Sequence, residues 1–183
     1  MIWQWAAFIL FTLFNIYISR RSLRDWHAHG FWRFLSWQVI VALILIQIPH
    51  WVENPLAWYQ IISWVLLFAS IPFLIWGVSA MRRIGHSSHS RQGDDLYQFE
   101  RTTTLITSGI FKYIRHPMYA SLLLLAWGAF FKLPTLAGGI LAVLSTIFLQ
   151  LTALRDEAAN LEYFGQPYQE YMQQTKRFIP FLF

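Results

Sequence analysis

The chain has 183 residues, of which 56% are hydrophobic and only 13% charged, with ten tryptophans and sixteen phenylalanines. A soluble domain carries about 25% charged residues, so this surplus of apolar side chains excludes a soluble globule and requires lipid as solvent. The lack of cysteine removes disulfides and thiolate metal sites. The net charge of +5 is explained by where the charges fall along the chain, not by nucleic acid.

Five apolar segments follow one another, at 2–18, 31–48, 56–80, 118–131 and 133–154. A membrane span needs about 20 apolar residues at 1.5 Å of rise each, and all but the fourth come close. The first segment has neither a basic leader nor a small-residue cleavage site and is read as a retained helix. Pro72 should kink the third segment, and Pro134 suits a tight turn between the fourth and fifth. The expected fold is all-α: one membrane-embedded domain over 1–183, with three N-terminal spans in 1–81 and a loop, a helical hairpin and C-terminal helices in 82–183.

Twelve of the fourteen Lys and Arg residues fall in the connections after segments one, three and five, and Arg33, just inside the start of segment two, makes a thirteenth on the same face. Lys132 is the exception. By the positive-inside rule that face is cytoplasmic, which places the N-terminus outside and the C-terminus inside and agrees with an odd number of spans. Two soluble pieces lie on this side. The stretch 82–114 is rich in Ser, Gly, Asp and Thr and too long for a simple turn. Beyond segment five, Leu154, Ala158 and Leu161 recur at helical spacing, so the fifth helix should continue into the cytoplasm. Gly165 should end it, and Pro167 should open a short helix carrying Tyr168, Tyr171 and Met172.

Residues that could carry chemistry cluster on the same face. Pro117 reads as the first residue of a helix, which puts Arg115 and His116 at its N-terminus, among unpaired backbone donors and the positive end of the dipole. Such a site suits an anion. The same residues would serve equally as an interfacial anchor against headgroups. Asp156 and Glu157 lie two or three residues beyond the last apolar stretch, on a face that otherwise collects basic residues. They are either a solvated helix face paired with Arg155 or a loop arginine, or carboxylates that meet a cationic ligand group. His86 and His89 form a His-x-x-His in a Ser-rich loop that also holds Asp94 and Asp95. Zinc needs three or four converging ligands, and no metal is expected. Trp3, Trp51 and Trp58 suit an interfacial belt.

Two blocks resemble a known superfamily. Leu105-Ile106-Thr107-Ser108-Gly109-Ile110-Phe111-Lys112-Tyr113-Ile114-Arg115-His116-Pro117-Met118-Tyr119 looks like the signature block of the isoprenylcysteine carboxyl methyltransferase and phospholipid methyltransferase superfamily. Asp156-Glu157, Leu161, Phe164-Gly165, Tyr168, Tyr171, Arg177 and Ile179-Pro180 resemble its C-terminal signature at matching spacing. The resemblance implies an integral membrane methyltransferase that binds S-adenosylmethionine at the cytoplasmic face and acts on a lipophilic acceptor such as a prenylcysteine carboxylate or a phospholipid amine. Residue types agree with this. The cofactor's carboxylate suits Arg115, His116 and the donors at the Pro117 helix start. Its ammonium and sulfonium suit Glu157 first and Asp156 second, and its adenine suits Tyr113 and Tyr119. Arg115 and Glu157 are the residues expected at the reacting centre. Asp156 departs from the superfamily's usual glutamate pair, and Ser121 stands where glycine is common, which bears on the fit of the cofactor there. An NADPH-dependent reductase of sterol-reductase type, with a similar C-terminal region, and a non-catalytic membrane scaffold are the alternatives. No nucleic-acid partner is expected, and the sequence is silent on oligomeric state.

Overall fold

A computed structural model describes residues 2–85 and 102–180. Six helices account for most of them: α1 (Ile2–Ser19), α2 (His29–Gln47), α3 (Trp58–Ile84), α4 (Pro117–Phe130), α5 (Leu136–Phe164) and α6 (Gln166–Gln174). Four of these, α1, α2, α3 and α5, are long and apolar enough to cross a membrane. The 14 residues of α4 reach about 21 Å, against a hydrocarbon core of about 30 Å. The 29 residues of α5 exceed that thickness, so its last two turns project past the apolar stretch, as the periodicity of Leu154, Ala158 and Leu161 predicts. Gly165 ends α5 with φ +64°, a conformation that glycine adopts without a Cβ penalty, and α6 starts at once.

The surface is apolar and the contacts between helices are largely polar or small, the reverse of a soluble bundle. Trp5, Leu10, Leu13 and Phe14 of α1 are exposed while Asn15 and Ser19 are buried. Gln4 Nε2 donates to Leu45 O at 2.7 Å, and Thr12 Oγ1 donates to Gln38 Oε1 at 3.1 Å, which fixes α1 against α2. Two close pairs, α2 with α5 and α3 with α4, form the body of the bundle. Gly128 makes the second possible: a Cβ there would stand 2.8 Å from Leu67 Cγ, and Ser63 Oγ donates to Gly128 O at 2.7 Å. Small residues and hydroxyls are how helices approach each other in lipid, where apolar burial alone gives little advantage.

At the end of α4 remote from Arg115, the turn that Pro134 predicts joins α4 to α5, and Thr135 caps α5 by accepting from Gly138 N at 3.1 Å. Lys132 in this turn is fully buried. Its Nζ donates to Gln60 Oε1 at 3.1 Å and to Trp51 O at 3.3 Å, and lies 3.3 Å from the centroid of the Trp64 ring. Burial pushes its pKa down. The opposite end gathers the arginines, where Arg155 of α5 stands over the Trp26 ring in the connection before α2.

Candidate active site

The site is built where the start of α4, the projecting end of α5 and the tail after α6 converge. Pro117 is the first residue of α4 and His116 its N-cap. Gly77 of α3 lets this start sit close, since a Cβ there would meet Met118 Cγ at 3.0 Å. Behind it, the chain after α6 lies alongside 113–116 as one turn of parallel bridge between Ile114 and Lys176. Lys176 N donates to Tyr113 O at 3.0 Å, Arg115 N to Lys176 O at 2.8 Å and His116 N to Arg177 O at 3.1 Å. Tyr171 Oη adds a bond to Phe111 O at 2.6 Å.

This backbone clamp delivers three cationic side chains to one carboxylate. Glu157, with its side chain 5% exposed, accepts from Arg115 Nε at 2.8 Å, from Arg177 Nε at 3.0 Å and from Arg177 Nη2 at 2.7 Å. His116 Nε2 lies 3.2 Å from the same carboxylate. Arg115 Nη1 also donates to Met172 O, at 3.2 Å, and to Thr175 O. Adjacent charge-assisted bonds of this kind are about twice as strong as neutral ones. The second ring nitrogen of His116, Nδ1, lies 3.4 Å from Asp156 Oδ2. Burial alone lowers the His116 pKa, but hydrogen bonds and charge from Asp156 and Glu157 outweigh it and leave it raised above 6.5. The ring therefore sits between two carboxylates that favour its protonated form.

A cavity opens against this cluster. Arg115, His116, Pro117, Met118 and Tyr119 line it from the α4 start, Asp156, Asn160 and Phe164 from α5, and Phe111, Tyr168 and Tyr171 from the flanking segments. It brings the donors of the first α4 turn together with an acidic residue whose Oδ1 already accepts from Asn160 Nδ2 at 3.2 Å. Burial is the main cause that raises the Tyr168 and Tyr171 phenols well beyond the ordinary tyrosine range, so both stay neutral.

Of the residues expected at a cofactor, Arg115, His116, Pro117, Tyr119 and Asp156 border this cavity together. Glu157 lies behind it, wholly engaged by cations, because consecutive helix residues point about 100° apart and Asp156 takes the outward direction. Tyr113 is about half exposed and Ser121 is buried within α4, its Oγ donating to Met118 O at 2.7 Å. Neither borders the cavity. Residues not expected there are Asn160, Phe111 and Phe164, together with Thr175 and the role of Arg177 as the third cation. His86, His89, Asp94 and Asp95 lie outside the described residues, and among those described no group of acidic or histidine side chains could hold a metal.

Four helices long and apolar enough to cross a membrane, with a charge-sorted cavity at one end of the bundle, define the class of a multi-pass membrane protein. The sequence model of the phospholipid methyltransferase family matches residues 58–166, more than half of the chain, and the chain belongs to that family. The match takes in α3, where the motifs show no signature, and ends at the first residue of α6, so Tyr168, Tyr171 and Arg177 lie beyond it. No curated protein and no solved structure matches the chain.

Proposed function

We propose that this protein is an S-adenosylmethionine-dependent methyltransferase of the membrane that acts on a lipophilic acceptor. The observation that carries the reading is that a helix start beside Arg115 and the carboxylate of Asp156 line one cavity. A ligand that bears a carboxylate, an ammonium, a sulfonium and an adenine has a counterpart for each. The first-turn donors of α4 and Arg115 suit the carboxylate, Asp156 and Asn160 suit the cationic end, and Phe111, Tyr119 and Phe164 suit the base. The enclosed volume is about 70 Å³, while ligand pockets run to about 300–1,000 Å³, so entry of a nucleoside widens this cleft.

When bound, S-adenosylmethionine supplies an electrophilic methyl group, which a nucleophilic heteroatom accepts as the C–S bonding pair returns to sulfur. The protein's own work is positioning. Glu157 is a positioning residue: it fixes Arg115, His116 and Arg177, and thereby the α4 start and the tail. Orientation and exclusion of water can account for several kcal/mol of such a barrier. The same reading includes five crossings, with α4 counted as one, and a cytoplasmic C-terminus. It keeps 1–183 as one functional domain.

The decisive experiment is thermal denaturation of the detergent-solubilised protein with S-adenosylhomocysteine or NADPH. A ligand that binds only the folded state raises the melting temperature by mass action. A rise with S-adenosylhomocysteine alone is expected, and a rise with NADPH alone would replace the methyltransferase by a reductase. Reporter fusions at Gly30 and at Asn54 should report opposite faces. A cytoplasmic signal at Asn54 would overturn the orientation.

A further inference from the structure

The elbow that joins α1 to α2, residues 20–28, lies between two helices long and apolar enough to cross a membrane, so it stands where the chain leaves the hydrocarbon. Arg20 and Arg24 are exposed on it. Arg155 reaches it from α5, with its guanidinium carbon 5.9 Å from the centroid of the exposed Trp26 ring. Arg155 adjoins Asp156 and Glu157 in the chain yet pairs with neither, whereas Arg115 and Arg177 are both engaged by Glu157. Among the described residues, Arg20, Arg24 and Arg155 have no acidic partner.

What surrounds these guanidiniums is aromatic. The Arg20 guanidinium carbon stands 5.2 Å from the centroid of the Tyr17 ring, and the Trp26 ring has the His27 ring 3.9 Å away. An aromatic face holds a cation in place but occupies none of the five N–H donors of a guanidinium. Asp25 is the one acid in the elbow, and it is engaged: its Oδ1 accepts from His27 N at 2.8 Å and lies 3.3 Å from His27 Nδ1. Trp and Tyr are side chains of the headgroup level, and the guanidinium fork matches a phosphate. A zwitterionic headgroup would bring its own ammonium into this excess of positive charge, with only the engaged Asp25 to receive it.

We propose that the elbow and Arg155 form a binding site for an anionic phospholipid whose headgroup has a phosphodiester and no amine, such as a glycerol ester. Arg24 and Arg155 donate to the phosphate oxygens, Trp26 holds Arg155 in place, and the acyl chains follow the apolar surface of α1, where Leu13 and Phe14 are exposed. A lipid held here offers no amine to methylate and is a partner of the protein, not its substrate. A basic face would attract such a lipid diffusely, in proportion to charge alone. A built site depends on these particular arginines and on the uncharged Trp26.

The test titrates the full chain in dodecylmaltoside with dioleoylphosphatidylglycerol at about 0.15 M salt, where a Debye length of about 8 Å screens remote charge. Melting temperature is followed against lipid mole fraction, and a lipid bound only by the folded state gives a saturating rise. Dioleoylphosphatidylcholine, with the same chains, should give none. Arg24→Gln with Arg155→Gln should raise the half-saturating fraction at least about tenfold, and Trp26→Leu, which alters no charge, about threefold. Arg82→Gln with Arg83→Gln removes equal charge from exposed positions at the end of α3, which packs on α4, and should leave the curve within about twofold. Equal weakening by the two double variants, or an equal response to the phosphatidylcholine, would overturn the proposal. So would a matching rise with inorganic phosphate or with hexaglutamate, which would assign the patch to a soluble anion or to an acidic protein segment. Melting without lipid verifies that each variant is folded, and Arg24→Gln alone, at an exposed position, should still weaken the lipid about threefold or more. S-adenosylhomocysteine takes no part in this assay, so its outcome is independent of the methyltransferase reading.

Discussion

Replacing Glu157 with Gln leaves the shape of the side chain and removes the charge on which three cations converge. In the folded protein this carboxylate holds four contacts between 2.7 and 3.2 Å, two of them from Arg177. A glutamine must turn an NH₂ toward at least one donor and leaves Arg115, Arg177 and His116 clustered without a counter-charge. Removing one partner from a buried charge pair costs about 3–5 kcal/mol, and Arg177, less deeply buried than Glu157, can recover part of that in water, so about 3 kcal/mol is expected. For a chain of this length each kcal/mol moves the melting temperature by about 2–4 °C, which gives a fall of roughly 6–12 °C in detergent. The control is Glu162→Gln, five residues on and exposed, which should melt within a degree of the wild type. A Glu157→Gln protein that melts with the wild type and binds S-adenosylhomocysteine equally well would refute the positioning role.

Asp156→Asn should act on the ligand instead of on the fold: loss of a charged acceptor at the cavity costs about 1.5–3 kcal/mol, or roughly tenfold to a hundredfold in S-adenosylhomocysteine affinity, measured by calorimetry, with a smaller change in melting temperature than Glu157→Gln. Because the His116 pKa is raised by folding, its stabilisation is present in full below about 6.5 and is lost as pH rises through the folded value. Melting temperature should therefore decline across that window in the wild type and decline less in His116→Gln. Lys132→Leu should destabilise by about 1–3 kcal/mol, because it leaves Gln60 Oε1 buried without its donor, and Gln60→Leu should cost less in that background than in the wild type, its remaining cost being the bonds that Gln60 Nε2 donates to His50 O and Lys132 O. Denaturant titration of the two single variants and the double variant would show this as a coupling.

The helices were largely legible from apolar run length, and the ends of α4 and α5 from single residues: Pro117, Pro134 and Gly165 each mark a boundary that the structure keeps. The clustering of Arg115 and His116 with the acidic pair was legible from motif and charge. What was harder to see was which acid faces the ligand. That depends on the rotation of α5, fixed by its packing on α2. A signal for it did exist, since Ala142, Ser145, Leu149 and Ala153 form a buried stripe that Glu157 continues at helical spacing. The contribution of Arg177 had no periodic signal, because it rests on a backbone bridge to Ile114 across more than sixty residues. The buried Lys132 reads in sequence as an ordinary loop cation, and only the indole of Trp64 and the amide of Gln60, brought from another helix, make its position tolerable.

On the methyltransferase reading, the two-sided grip on His116 also limits the chemistry. With Asp156 near Nδ1 and Glu157 near Nε2, the protonated form of the ring is favoured, and in that form it has no lone pair with which to accept a proton. An acceptor that is a carboxylate arrives already nucleophilic and needs none. An amine must surrender its proton to water or to a carboxylate before the methyl group can move, and its rate would then climb with pH along its own ionisation. On that reading, the order in which protons and methyl groups change hands is thus set by what the acceptor brings with it more than by the histidine beside it.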